Sequence, residues 1–213
     1  MTDMALTLEE TENLNEVKDW FEKYGNWLVG VLLAAALIAA GNWGWRWYTQ
    51  HGAEAASALY DQYEAAVARD DTARARDIAG SLVQRQGGSI YAALAALQQA
   101  KANLTVGDFP SAKAQLQWVA GKSQFPELAA VARVRLAGVL LDEKSYDAAL
   151  ALLQSPPSGF AADYADRRGD ILFAQGKPAA ARTAYQEALV AAGPQNPLRS
   201  LIQAKLDAIP AAG

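Results

Sequence analysis

Arg168-Gly169-Asp170-Ile171-Leu172-Phe173-Ala174-Gln175-Gly176-Lys177-Pro178-Ala179-Ala180-Ala181-Arg182-Thr183-Ala184-Tyr185-Gln186-Glu187-Ala188-Leu189 reads as two short helices around one turn. Gly176-Lys177-Pro178 marks the turn, because glycine suits a helix end and proline suits the start of the next helix. The same offsets recur upstream. Ala75, Ala112, Ala149 and Ala181 align with spacings of 37, 37 and 32 residues. Four residues later stand Ala79, Leu116, Leu153 and Tyr185, and three earlier stand Thr72, Phe109, Tyr146 and Pro178. Five earlier are the turn positions Asp70, Gly107, Lys144 and Gly176. Twelve earlier come Tyr63, Ala100, Ala137 and Gly169, small in all but the first. A generic alanine-rich bundle has no reason to keep these offsets, so period and turn chemistry together predict a helical repeat.

The pattern resembles the tetratricopeptide repeat, in which small residues let two antiparallel helices approach and a larger residue on the second helix locks the pair. Breaks at Asp70-Asp71, Gly87-Gly88, Gly107-Asp108, Gly121 to Pro126, Ser155 to Gly159, Gly176 to Pro178 and Gly193-Pro194 divide the chain. They predict helix pairs at 53–69 with 72–86, 89–105 with 109–120, 126–142 with 146–154, and 160–175 with 178–192. A helix from Pro197 to Ile209 would cover the last pair. A single pair cannot bury its apolar face alone, so the units should stack into a right-handed solenoid of about four pairs with that C-terminal cap.

Upstream of the repeats, 22 residues from Tyr24 to Trp45 carry no charge. At about 1.5 Å of rise per residue, roughly 20 helical residues cross a bilayer core. Leu28, Val29, Val31, Leu32, Leu33, Leu37 and Ile38 together favour insertion by roughly 2–4 kcal/mol. Trp20, Phe21, Tyr24 and Trp27 crowd one end, and Trp43, Trp45, Trp47 and Tyr48 the other, as rings do at headgroup level. The acidic leader is too long for a cleaved signal peptide, and a core helix explains neither the length nor the two aromatic belts. Lys18, Lys23 and the α-amino group outnumber Arg46 near the span, which points the N-terminus toward the cytoplasm. The fold expected is therefore all-α, with three parts. An acidic cytoplasmic tail, partly helical, occupies 1–24; a transmembrane signal anchor occupies 25–47; a periplasmic repeat domain occupies 48–213. Thr7-Leu8-Glu9-Glu10 has capping-box spacing for a short leader helix ending near Gly25, with a partly frayed tail as the alternative.

Composition narrows the chemistry. The net charge of −4 arises before Tyr48, from the acidic leader offset in part by Arg46, since the residues from Tyr48 onward hold equal numbers of acidic and basic groups. A neutral domain without a basic run argues against nucleic acid as partner. Cysteine is absent and His51 is the sole histidine, so disulfides, thiolate nucleophiles and the usual zinc constellation are excluded. Glycines are dispersed, and the carboxylates of Asp142-Glu143 and Asp70-Asp71 fall at helix ends or turns. Nothing places a nucleophile beside a base, so no catalytic, cofactor or metal site is expected and no enzyme activity.

Leader, span and repeats together resemble the YfgM family, the ancillary subunit of the bacterial SecYEG translocon. The residues carrying the likeness are Val17-Lys18 with Trp20-Phe21, Gly25, Gly44-Trp45-Arg46 and Trp47-Tyr48. Further on come Tyr91, Ala93 and Leu94, then Arg168 to Leu172, Gly176-Lys177 and Ala181-Arg182. The resemblance implies a single-pass inner-membrane protein with its domain in the periplasm. It implies association with the translocon and with the membrane-anchored periplasmic chaperone PpiD, and chaperone-like handling of exported clients. The alternative is a membrane-anchored adaptor for envelope assembly or division machinery that handles no clients. Self-association is left open.

In tetratricopeptide stacks the first helix of each pair lines the concave groove. The repeat phase then gives the rows Tyr60, Glu64 and Val67; Leu97, Lys101 and Leu104; Val134, Leu141 and Asp142; and Asp163, Asp166, Asp170 and Phe173. The first three rows are mostly apolar, suiting extended or amphipathic clients, whereas three carboxylates in the last would select basic segments. Periodic apolar residues are also what a core contains, and solvated Asp side chains are ordinary. Ala36, Ala40 and Gly44 recur every four residues and would line one face of the span for helix packing, a spacing that chance also produces in an alanine-rich segment.

Overall fold

The computed structural model describes the backbone of residues 8–122 and 124–209, and among these residues it forms nine α-helices. They are α1 (Leu8–Ala68), α2 (Thr72–Arg85), α3 (Ile90–Thr105), α4 (Phe109–Ala120), α5 (Pro126–Asp142), α6 (Tyr146–Ala151), α7 (Ala161–Ala174), α8 (Pro178–Ala192) and α9 (Arg199–Asp207). Two compact units divide at Glu54 and Ala55. The all-α reading and the pairing of α1 to α8 agree with the repeat phase.

Each pair closes through the same turn. Asp70, Gly107, Lys144 and Gly176 all have positive φ, at 55°, 79°, 59° and 73°. The next residue's amide donates five residues back: Asp71 to Ala66, Asp108 to Asn103, Ser145 to Leu140, Lys177 to Leu172. The turn residue itself donates three back, to Val67, Leu104, Leu141 and Phe173. These are the two bonds of the Schellman motif, which satisfy the last carbonyls of a helix. Glycine meets the left-handed geometry without strain in two units, while Asp70 and Lys144 adopt it at a cost of about 1–2 kcal/mol.

Behind the turns, the twelve-before and four-after positions are buried in every unit. The pairs are Tyr63 with Ala79, Ala100 with Leu116, Ala137 with Leu153, and Gly169 with Tyr185. The first unit, which breaks the expected pattern, swaps the large and small partners between its helices and keeps both in one core cluster. In the fourth, the Tyr185 ring occupies the space beside Gly169; a Cβ there would lie 2.5 Å from ring carbon Cε1.

Stacking joins the units. α3 packs on both α2 and α4, α5 on α4 and α6, and the first helices α3, α5 and α7 follow one another. The central core, rich in alanine, runs from Ala93 to Ile171, and flanking clusters surround Tyr63 with Leu82 and Tyr185 with Ile202. Trp118 touches both the first and central clusters.

Three expectations change. α1 is helical throughout, with no end at Gly25 and no new start at 53. α6 stops at Ala151 rather than 154, although Leu153 stays buried: the bond from Leu153 to Leu150 tightens the chain before Pro156 and Pro157, which cannot continue a helix. The C-terminal helix begins at Arg199 rather than 197, after Leu198 donates to the Asn196 side chain.

In the compact unit that ends at Glu54, every described side chain from Val29 to Trp43 is exposed, with Leu37 and Ile38 at 73%. Among the described residues no helix is long and apolar enough to cross a membrane. The expected anchor at 25–47 includes positions 25, 26, 28 and 44–47, whose side chains lie outside the described set, as do Gly44 of the proposed packing face and His51. Ala36 and Ala40 are exposed. Thr7, of the leader's capping box, also lies outside the described residues.

Candidate binding groove

A cleft of about 700 Å³ opens over α3, with the end of α1 and start of α2 on one side and α5 on the other. Its apolar surface includes Val67, Leu94, Leu97, Leu128 and Val131, while Lys101 and Arg135 supply cations. Three of the residues expected in the groove therefore meet there: Val67, Leu97 and Lys101. Leu94 sits one turn before Gln98 on α3, and Val131 one turn before Arg135 on α5. Leu94 to Val131 and Gln98 to Arg135 are each 37 residues, so the repeat period itself carried the signal for both.

The α5 row expected from the sequence is rotated. Val134 and Leu141 are half-buried against the central core, as is Leu104 of α3, while Asp142 is exposed at the end of α5. A step of one residue turns a helix by about 100°, which moves the cleft-facing row from Val134 to Val131 and Arg135. Tyr60 packs its ring 5.5 Å from Tyr91 and 5.9 Å from Tyr63, and its hydroxyl accepts from Gln98 Nε2 at 2.7 Å. Glu64 beside it is exposed. Burial, and then the Glu64 charge, raise the Tyr60 hydroxyl above the usual tyrosine range. The deeper Tyr63 hydroxyl is pushed up to about 12, mainly by burial, so both rings stay neutral at physiological pH.

The acidic row of α7 is engaged within the domain. Lys205 of α9 lies 2.8 Å from both Asp166 oxygens and 2.9 Å from Asp170 Oδ1. Asp170 also accepts from the Tyr185 hydroxyl at 2.8 Å and from Arg167 at 3.1 Å. The Asp166 and Asp170 side chains are only 15% and 16% exposed, so little of their charge faces solvent. Burial pushes the Asp166 carboxyl up, against the pull of Lys205. Burial also raises the Tyr185 hydroxyl, reinforced by the Asp170 carboxylate. Asp163 is partly exposed and has no ion-pair partner among the described residues, and Phe173 is 49% exposed.

One repeat position ties consecutive first helices together. Gln98 bonds Tyr60 across to α1, and Arg135 reaches the Leu97 carbonyl of α3 at 3.4 Å. The Arg167 guanidinium lies against Gly138 of α5, and Lys205 grips α7. These four residues are spaced 37, 32 and 38 apart. By this criterion α9 stands where the first helix of a further unit would stand. Among the described residues no three metal-ligating side chains converge.

A model described as "Tetratricopeptide repeat-like domain" matches residues 18–211. A protein of Haemophilus influenzae is 33% identical over 87% of this chain and 91% of its own length. One from Neisseria gonorrhoeae is 33% identical over 97% of this chain and all of its own length, and one from Escherichia coli 31% identical over 86% and 88%. All three are named "Ancillary SecYEG translocon subunit". The chain belongs to the YfgM family. In this YfgM-family chain, the matched region takes in α1 from Ala55 and all of α2 to α9, and with them the cleft.

Proposed function

We propose that the protein is a membrane-anchored adaptor and chaperone cofactor at the SecYEG translocon, engaging exported proteins and the periplasmic chaperone PpiD through its repeat domain. The open apolar cleft over α3 carries this reading, since such a surface suits a partner's side chains better than water. The near full-length similarity to ancillary translocon subunits supports the location. Residues 25–47 act as the anchor, with 1–24 cytoplasmic and 48–213 periplasmic. Support comes from the helix that exposes Val29 to Trp43 with no protein covering it, where hydrocarbon is the favourable surrounding. Ala36, Ala40 and Gly44 then offer a face for close helix packing within the membrane. Anchoring raises the local concentration of the groove near emerging chains, so individually weak contacts suffice.

Photoreactive side chains at Val67 and Lys101 test this during synthesis of an exported protein. Adducts with the emerging chain or translocon-associated chaperones are expected, and they should vanish when export is blocked. Adducts with folded envelope proteins alone, unchanged by the block, would favour an adaptor without clients.

A further inference from the structure

Most cations on α7 to α9 face carboxylates: Arg167 meets Asp170, Arg168 meets Glu187, and Lys205 meets Asp166 and Asp170. The two cations of the cleft do not. Lys101 is exposed and its ammonium forms no hydrogen bond or ion pair among the described residues, and the Arg135 guanidinium makes only its long bond to the Leu97 carbonyl. Asp70, the sole carboxylate lining the cleft, sits in the α1–α2 turn and pairs with neither. Thus an apolar floor of Leu94, Leu97 and Val131 lies beside two charges that lack counter-ions, while two of the three carboxylates of the acidic row, Asp166 and Asp170, are engaged by Lys205 of α9.

We propose that this cleft selects acidic amphipathic protein segments. Their apolar side chains would lie on the α3–α5 floor and their carboxylates against Lys101 and Arg135. The proposal rests on the groove reading above and specifies what the groove takes. A guanidinium with most of its donors unused offers a carboxylate the paired geometry it prefers. A volume of about 700 Å³ holds several side chains. Val67 remains 46% exposed at the edge, so the site is an open trough suited to a chain passing through rather than an enclosed slot for an acyl tail.

The test uses the full chain in a non-ionic detergent and fluorescence anisotropy with three labelled peptides of identical apolar pattern, bearing Glu, Gln or Lys at the polar positions. The Glu peptide should bind about tenfold tighter than the Gln peptide, with the difference shrinking as salt rises. Lys101→Gln with Arg135→Gln should erase that difference, and Lys101→Glu with Arg135→Glu should reverse it toward the Lys peptide. Unchanged circular dichroism would show that both variants remain folded. Equal affinity for the Glu and Gln peptides, with both weakened several-fold by Val67→Gln and Val131→Gln, would overturn the acidic preference while keeping the groove. Binding insensitive to those two apolar substitutions would overturn the groove reading as well. Charge-dependent uptake of oleate with no binding of the Glu peptide would make the occupant a lipid and overturn the proposal.

Discussion

Gly169 and Tyr185 show how one volume sets a contact. With no room for a Cβ beside the ring, and the ring tethered through Asp170, Gly169→Ala should cost about 1–3 kcal/mol in denaturant unfolding. Adding Tyr185→Leu should recover part of that loss, because it recreates the alanine–leucine pairing of Ala137 with Leu153. Lys144 presents the opposite case: an exposed residue held in the left-handed region, where Lys144→Gly should stabilise by about 0.5–1 kcal/mol. Asp166 contributes a pH dependence. Its folded carboxyl titrates above the unfolded value, so its ionisation opposes folding. The associated stability is fully present below the unfolded pKa and is lost as pH rises through the folded one. Wild type should therefore gain on Asp166→Asn as pH falls through that window, measured as the gap between their urea midpoints. Of these three environments only that of Asp166 left no mark in the sequence, since Lys144 stands at a repeat turn position. The offsets marked Gly169 and Tyr185 as partners, but only the packed structure places Lys205 beside Asp166.

The starts of α2, α3 and α4 were legible to within a residue because local chemistry sets them. Asp71 and Asp108 accept from the amides of Arg74 and Ser111, and Ser89 from Ala92, the side-chain caps of α2, α4 and α3. The left-handed turns at Gly107 and Gly176 follow equally from residue type. The direction in which each helix turns its faces was less legible, as α5 shows: Val131, Val134 and Arg135 all fit a helical row until α3 and α7 choose which side is covered. α9 illustrates the same dependence. Its hold on α7 and α8 combines Ile202 and Leu206 in the core with Lys205 on the carboxylates. Lys205→Ala should cost about 1–2 kcal/mol by leaving Asp166 without its cation and Asp170 with the Arg167 cation alone. Because repeats couple mainly to their neighbours, faster amide exchange should appear in α7, α8 and α9 and leave α2 and α3 unchanged. Uniform acceleration along the domain would instead mean that the stack opens as one unit.

The repeat domain buries its apolar residues in itself, whereas the proposed anchor leaves its described ones uncovered from Val29 to Trp43. Absence of cysteine makes the proposed topology directly testable. A single cysteine at exposed Ser155 should react with a membrane-impermeant maleimide in spheroplasts, and one at Thr2 only after lysis. Labelling in the reverse order would place the domain in the cytoplasm and remove the basis for a role at the export side of the translocon. Sequence by itself determined the helical content, the repeat phase, the turns and the uncharged segment, since each depends on neighbours within one or two helical turns. Only the tertiary structure decided which charges are spent and which are available. Lys205 lies 39 residues from Asp166, and no local rule predicts that α9 will engage Asp166 and Asp170 while Lys101 and Arg135 stay without a carboxylate partner in the cleft. That outcome depends on which helices meet, and burial then fixes the strength of each charge.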